Sequence, residues 1–212
     1  MSDTSPGNAG TDWRDLTAIV LLSITAILTA WCGFQSSKWG GAMSIAFSQA
    51  SSARIEATRL DGVANRKMSI HVALFTQWLD AEQEGATELT DFLAARFPDP
   101  LAPAFQAWQD TDPTHNAEAP ETPFVMPEYA IPELAQSQRA DERAEAKFQE
   151  ALTNNQRGDN YTVLTVLYAT VLFFAALSDR MKSARGQTVV LAVGLLGFAV
   201  ATTIMLSFPR LV

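Results

Sequence analysis

Leu16–Phe34 reads LTAIVLLSITAILTAWCGF, nineteen residues without a charged side chain. At a rise of ~1.5 Å per residue, a helix of that length crosses the roughly 30 Å hydrocarbon layer of a bilayer. Two more stretches have the same property, Tyr161–Ser178 and Thr188–Phe208. Thr188–Phe208 shows only scattered Thr, Gly and Ser, with no polar stripe of the kind a soluble helix carries. Backbone in lipid must satisfy its own hydrogen bonds, and a helix does so locally. The sequence therefore predicts three transmembrane helices.

The residues around Cys32 and ahead of Leu16 decide whether the first segment is cut or kept. A lipoprotein signal needs small residues before its cysteine, and bulky Trp31 precedes Cys32. An ordinary signal peptide has a basic start and small residues at the cut, whereas Arg14 is the only basic side chain before Leu16. The reading is an uncleaved anchor. Trp31, Phe34 and Trp39 fall at the expected aromatic belt, rings toward lipid, with Lys38 placed to snorkel between them. Cys32 reads as a packing residue near that boundary.

The 212 residues carry a net charge of −8, and Gly40 to Gly158 holds 18 acidic against 9 basic residues. Nucleic acid is not an expected partner, because phosphate binding needs a basic face. A lone cysteine allows no intrachain disulfide.

From Met43 the apolar residues recur in steps of three and four: Ala46, Ala50, Ala53, Ala57, Leu60, Ala64, Met68, Val72, Phe75 and Leu79. This spacing predicts a long helix with a coiled-coil-like seam, its small residues inviting a neighbouring helix. Gly40-Gly41 and Asp61-Gly62 are candidate kinks, since each glycine lowers helix propensity by up to ~1 kcal/mol. A second polar helix is predicted over about Pro132–Asn155, with a weaker stripe of Ala140, Ala144, Phe148 and Ala151.

Between the helices lie eight of the ten prolines, in an acidic stretch over 98–132. Proline removes an N–H and restricts the residue before it, so a loop is expected there, with one short helix near Ala102–Gln109. Phe105, Trp108, Phe124, Met126 and Tyr129 either present a partner-binding patch or, more in keeping with large aromatics, fold the loop back on its own helices.

Catalytic signals are missing. His71 and His115 sit in no metal-ligand spacing, and His71 reads as a helix-flank residue. Glu82, Glu84 and Glu88 read as a solvated face. There is no glycine-rich phosphate loop or nucleophile elbow. The expectation is a protein that is not an enzyme and has no cofactor. The spans lack the ionisable residues of a proton relay. Thr25, Thr29, Thr162, Thr165, Thr170, Thr202 and Thr203 offer pore-lining hydroxyls, although threonine in a membrane helix more often bonds its own backbone. Gly194, Gly197 and Ala201 favour close helix packing.

Arg180, Lys182 and Arg185 give the loop over 179–187 a basic character that argues for the cytoplasmic side. The amino terminus then lies inside and the large middle outside. Charges flanking the first span oppose this, with three acids and one arginine before it and Lys38 and Arg54 after it.

The order of one span, a long polar helical hairpin and two closely spaced spans resembles an uncharacterised family of small bacterial membrane proteins carrying a domain of unknown function. The stretch YTVLTVLYATVLFFAALS over Tyr161–Ser178 is similar to the second span of such proteins. The resemblance implies a bacterial inner-membrane location and assigns no activity.

The expected organisation is all-α: a polar tail over 1–15, a span over 16–34, a helical hairpin over 35–160 with its tip at 98–132, a span over 161–178, the basic loop and a span over 188–208. The expected function is a non-catalytic membrane scaffold, homo-oligomeric through Ala46, Ala50, Ala53, Ala57, Leu60 and Ala64, with a possible protein partner at Trp108, Phe124 and Tyr129. An oligomeric channel or transport subunit and an envelope sensor are the alternatives.

Overall fold

A computed structural model describes residues 13–211. The polar tail expected over 1–15 falls, through residue 12, outside them. Five α-helices and a 3-10 turn succeed one another, and no strand occurs among the described residues: α1 Trp13–Gln83, α2 Thr87–Ala94, α3 Leu101–Gln109, the 3-10 turn Pro123–Val125, α4 Pro132–Ser178 and α5 Ala184–Ser207. Three of them, α1, α4 and α5, contain segments long and apolar enough to cross a membrane.

The expected boundaries at 34/35 and 160/161 fall inside helices, because each polar helix continues directly into an apolar one. Helix α1 also runs unbroken through Gly40-Gly41 and Asp61-Gly62. It ends at Gly85, whose φ of 69° is left-handed. The Ala86 N–H there donates to the Ala81 carbonyl at 3.0 Å and the Gly85 N–H to that of Glu82 at 3.1 Å. These bonds form a Schellman stop, which favours glycine because a Cβ would be strained at that φ. Helix α2 was not anticipated from the sequence. Helix α3 lies within one residue of its expected start.

The chain divides into two compact units, Met1–Ser48 with Lys147–Val212 and Gln49–Ala146. In the first, the apolar segments of α1, α4 and α5 pack around Cys32, Trp39, Tyr161, Leu164, Tyr168, Ala201 and Met205. A second cluster there joins Ala18, Leu21, Val171, Ala175 and Leu191. Small residues bring α5 close: a Cβ on Gly197 would lie 3.3 Å from Val171 Cγ2, tighter than ordinary contact. Gly194 and Ala201 are buried as well, so this small-residue motif packs helices within the chain.

Polar side chains reinforce that packing. The Gln35 amide both donates to the Leu211 carbonyl at 3.1 Å and accepts from the Leu211 N–H at 3.0 Å. Tyr161 donates to the Pro209 carbonyl, and the Tyr168 hydroxyl lies 3.1 Å from that of Thr202. Thr29, Thr162, Thr165, Thr170 and Thr203 each donate to the carbonyl one turn back on their own helix. The Thr25 hydroxyl is buried without a partner.

In the second unit, Ala57 and Leu60 of α1 pack on Ala140 of α4. Ser137 donates to the Ala57 carbonyl at 3.0 Å. Arg54 meets Asp141 and Glu145 at 3.9 and 3.5 Å, and Arg143 meets Glu56 at 3.0 Å. Exposed pairs of this kind contribute only ~0–1 kcal/mol each, so the apolar seam carries most of the stability and the charges help select its register.

Candidate functional site

The aromatic residues of the proline-rich stretch close on the end of α1. Phe75 and Trp78 stack with ring centres 6.0 Å apart, and Phe105 and Trp108 from α3 meet Phe75 edge-on at 6.5 and 5.4 Å. Phe124 completes the set at 5.5 Å from Phe75. The Trp108 indole N–H donates to the Pro120 carbonyl at 2.7 Å, which removes the cost of burying it. Trp108 is buried, while Phe124 and Tyr129 are half-buried. The aromatics thus fold the loop back on its own helices, the second of the two arrangements expected for them.

His71 is a correction to the sequence reading. It is 3% exposed rather than a flank residue, and its Nδ1 lies 2.9 Å from the Tyr129 hydroxyl. Four residues earlier, Lys67 pairs with Glu133 in the first turn of α4. The buried face of α1 therefore passes through Ala64, His71, Phe75 and Trp78, with Lys67 half-buried beside it, while Met68 and Val72, expected on the seam, are exposed. Apolar periodicity missed His71 because that position holds a polar side chain whose partner, Tyr129, is supplied from another element.

Burial lowers the His71 pKa from its ordinary 6.5, and the Lys67 charge adds to the effect. A base whose pKa is depressed by folding binds more protons when unfolded, so stability must fall as pH drops below 6.5 toward the folded value. Unfolding midpoints followed by tryptophan fluorescence should decline over that window in the full-length protein. His71→Gln should flatten the decline, and an unchanged slope would remove His71 as its source.

The other expected site residues divide clearly. Ala46, Ala50, Ala57, Leu60 and Ala64 are buried inside the chain and Ala53 is half-buried. Their packing partners are already present. On α4, Ala140, Ala144 and Ala151 are buried, but Phe148 is exposed and meets Phe47 edge-on at 5.5 Å. Trp31 and Lys38 are exposed. Trp39 is the exception: it is 4% exposed, with the Arg157 guanidinium 4.7 Å from its ring centre. The helical period turns it inward, and cation–π contact with Arg157 replaces contact with lipid. Cys32 is buried in the same core.

Arg180, Lys182 and Arg185 are exposed around the start of α5. The Gln187 amide donates to Asp15 at 3.1 Å and ties that end of α5 to α1. His115 lies 2.9 Å from Asp112 on the surface. Among the described residues, no three His, Cys, Asp or Glu side chains gather as a metal site would require.

A groove of about 360 Å³ opens beside the His71–Tyr129 pair, lined by Met68, Val72, Phe124, Tyr129, Ile131 and Leu134. Its walls come from α1, the 3-10 turn, the loop after it and the start of α4. No protein-family model, curated protein or solved structure matches the chain.

Proposed function

We propose that this protein is a non-catalytic membrane scaffold, in which three helices hold the first unit in a bilayer and a helical hairpin around the second unit serves as an interaction platform. The observation that carries the reading is the first unit's filled interior beneath an apolar exterior. Tyr161, Leu164 and Tyr168 occupy its centre, while Ile19, Ile27, Val166, Phe173, Val189 and Leu196 face outward. Side chains of that kind are at home against acyl chains. Self-association belongs to the same proposal. It draws on outward residues such as Ile45 and Ile55, because the Ala46–Ala64 seam is engaged within the chain.

The proposed location is a bacterial inner membrane, with the amino terminus and basic loop in the cytoplasm and the second unit outside. A Cys32→Ala, Ala117→Cys protein tests the orientation. Ala117 is exposed and Cys32 is the sole native cysteine. Labelling by an impermeant maleimide in intact, outer-membrane-permeable cells is expected. Labelling only after inner-membrane lysis would reverse the topology.

The competing reading, a subunit of an oligomeric channel or transport complex, draws on the unpartnered Thr25 hydroxyl. Proteoliposomes under imposed potassium and chloride gradients separate the two. The scaffold reading expects no flux above empty vesicles, and sustained protein-dependent flux would overturn it.

A further inference from the structure

We propose that the groove formed by Met68, Val72, Phe124, Tyr129, Ile131 and Leu134 docks a cationic peptide segment that presents an aliphatic side chain between basic residues. The proposal rests on the scaffold reading and names the class of partner. The groove supplies the apolar half of the argument. Met68 and Val72 are 36% and 44% exposed on successive turns of α1, so one wall stands open. The floor is buried Ile131, and the rings of Phe124 and Tyr129 meet edge-on at 5.0 Å. An aliphatic side chain entering there removes apolar surface from water on both partners.

Charge supplies the other half. Asp80–Glu133 contains twelve acidic residues and a single basic one, Arg96. The nearest cations in sequence to the groove are Arg66 and Lys67, and Lys67 is already paired with Glu133. Arg96 lies over the Phe92 ring at 3.7 Å. Glu128, exposed, is the sequence neighbour of the groove residue Tyr129. So one-sided a field accelerates encounter with a cationic partner and repels an anionic lipid surface or nucleic acid. It also disfavours a second copy seating its own acidic 80–133 stretch in this groove, which would bring like charge against like.

The test uses the full chain in detergent micelles and a fluorescein-labelled dodecapeptide of alternating lysine and leucine. Two control peptides carry glutamate in place of lysine or serine in place of leucine. Anisotropy should show saturable binding of the lysine–leucine peptide, weakened at least tenfold by either control and by raised salt. Met68→Asn with Val72→Asn should weaken it at least tenfold, with helicity by circular dichroism unchanged. Leu89→Asn with Phe92→Asn, on the exposed side of α2, should leave the affinity within twofold.

Equal binding of the lysine–serine peptide would reduce the effect to acidic charge alone and overturn the proposal. Equal affinity of the groove variant would do the same, as would no binding by the lysine–leucine peptide. A shift in sedimentation caused by the groove variant without loss of peptide affinity would assign the groove to a second copy instead. Failure of the peptide in a protein that still partitions into membranes and carries no flux defeats this inference alone. Flux in proteoliposomes defeats the scaffold reading alone.

Discussion

Leu196→Arg is expected to reduce insertion of α5 into a bilayer by about two orders of magnitude, the consequence of an arginine cost of roughly 3 kcal/mol at the centre of a membrane helix. Leu196 is near the middle of α5 and 67% exposed. In a protein surrounded by water, that exposure would make arginine nearly neutral, within about 0.5 kcal/mol. The same substitution therefore has opposite consequences in the two solvents. Glycosylation acceptors placed on each side of α5 and assayed in microsomes measure the inserted fraction. Full insertion of the arginine variant together with an unchanged unfolding midpoint would mean that this face meets water.

The second large effect concerns the aromatic cluster. Phe75→Ala should destabilise the second unit by about 3–5 kcal/mol, the range for deleting a buried aromatic ring. Phe75 touches Trp78, Phe105, Trp108 and Phe124, and its removal leaves a hole that four large rings cannot close by small rotations. Phe92→Ala is the internal comparison. Phe92 is exposed on α2, and its loss should cost well under half as much. Urea titrations followed by tryptophan fluorescence in full-length protein give both values. Similar midpoints for the two variants would show that the cluster around Phe75 is not the unit's stabilising core.

These two substitutions separate what local sequence carries from what it does not. The apolar helical segments over 16–34, 161–178 and 188–208 are legible because apolar length is a property of contiguous residues. Helix α3 was legible because the surrounding prolines limit it on both sides. The Gly85 stop follows from local backbone geometry. Helix α2 carries Leu89, Phe92 and Leu93 at helical spacing, but eight residues are too short for that period to stand out, and Leu89 and Phe92 are exposed rather than buried.

The faces of the helices required tertiary structure. A period of three and four residues says that α1 has a buried side, but not that His71 belongs to it. His71 is buried against Tyr129, 58 residues away in sequence, and half-buried Lys67 pairs with Glu133, 66 residues away. Trp39 faces inward with Arg157 over its ring, and Gln35 is buried where it meets Leu211, 176 residues distant. The groove likewise exists only when three separated segments converge. Composition and periodicity are local sums, and by themselves they determined the apolar segments of α1, α4 and α5, the seam of α1 near Ala46–Ala64 and the acidic character of the proline-rich stretch. Partner choice depends on which distant groups satisfy a buried charge, ring or amide, and that the tertiary structure alone decided.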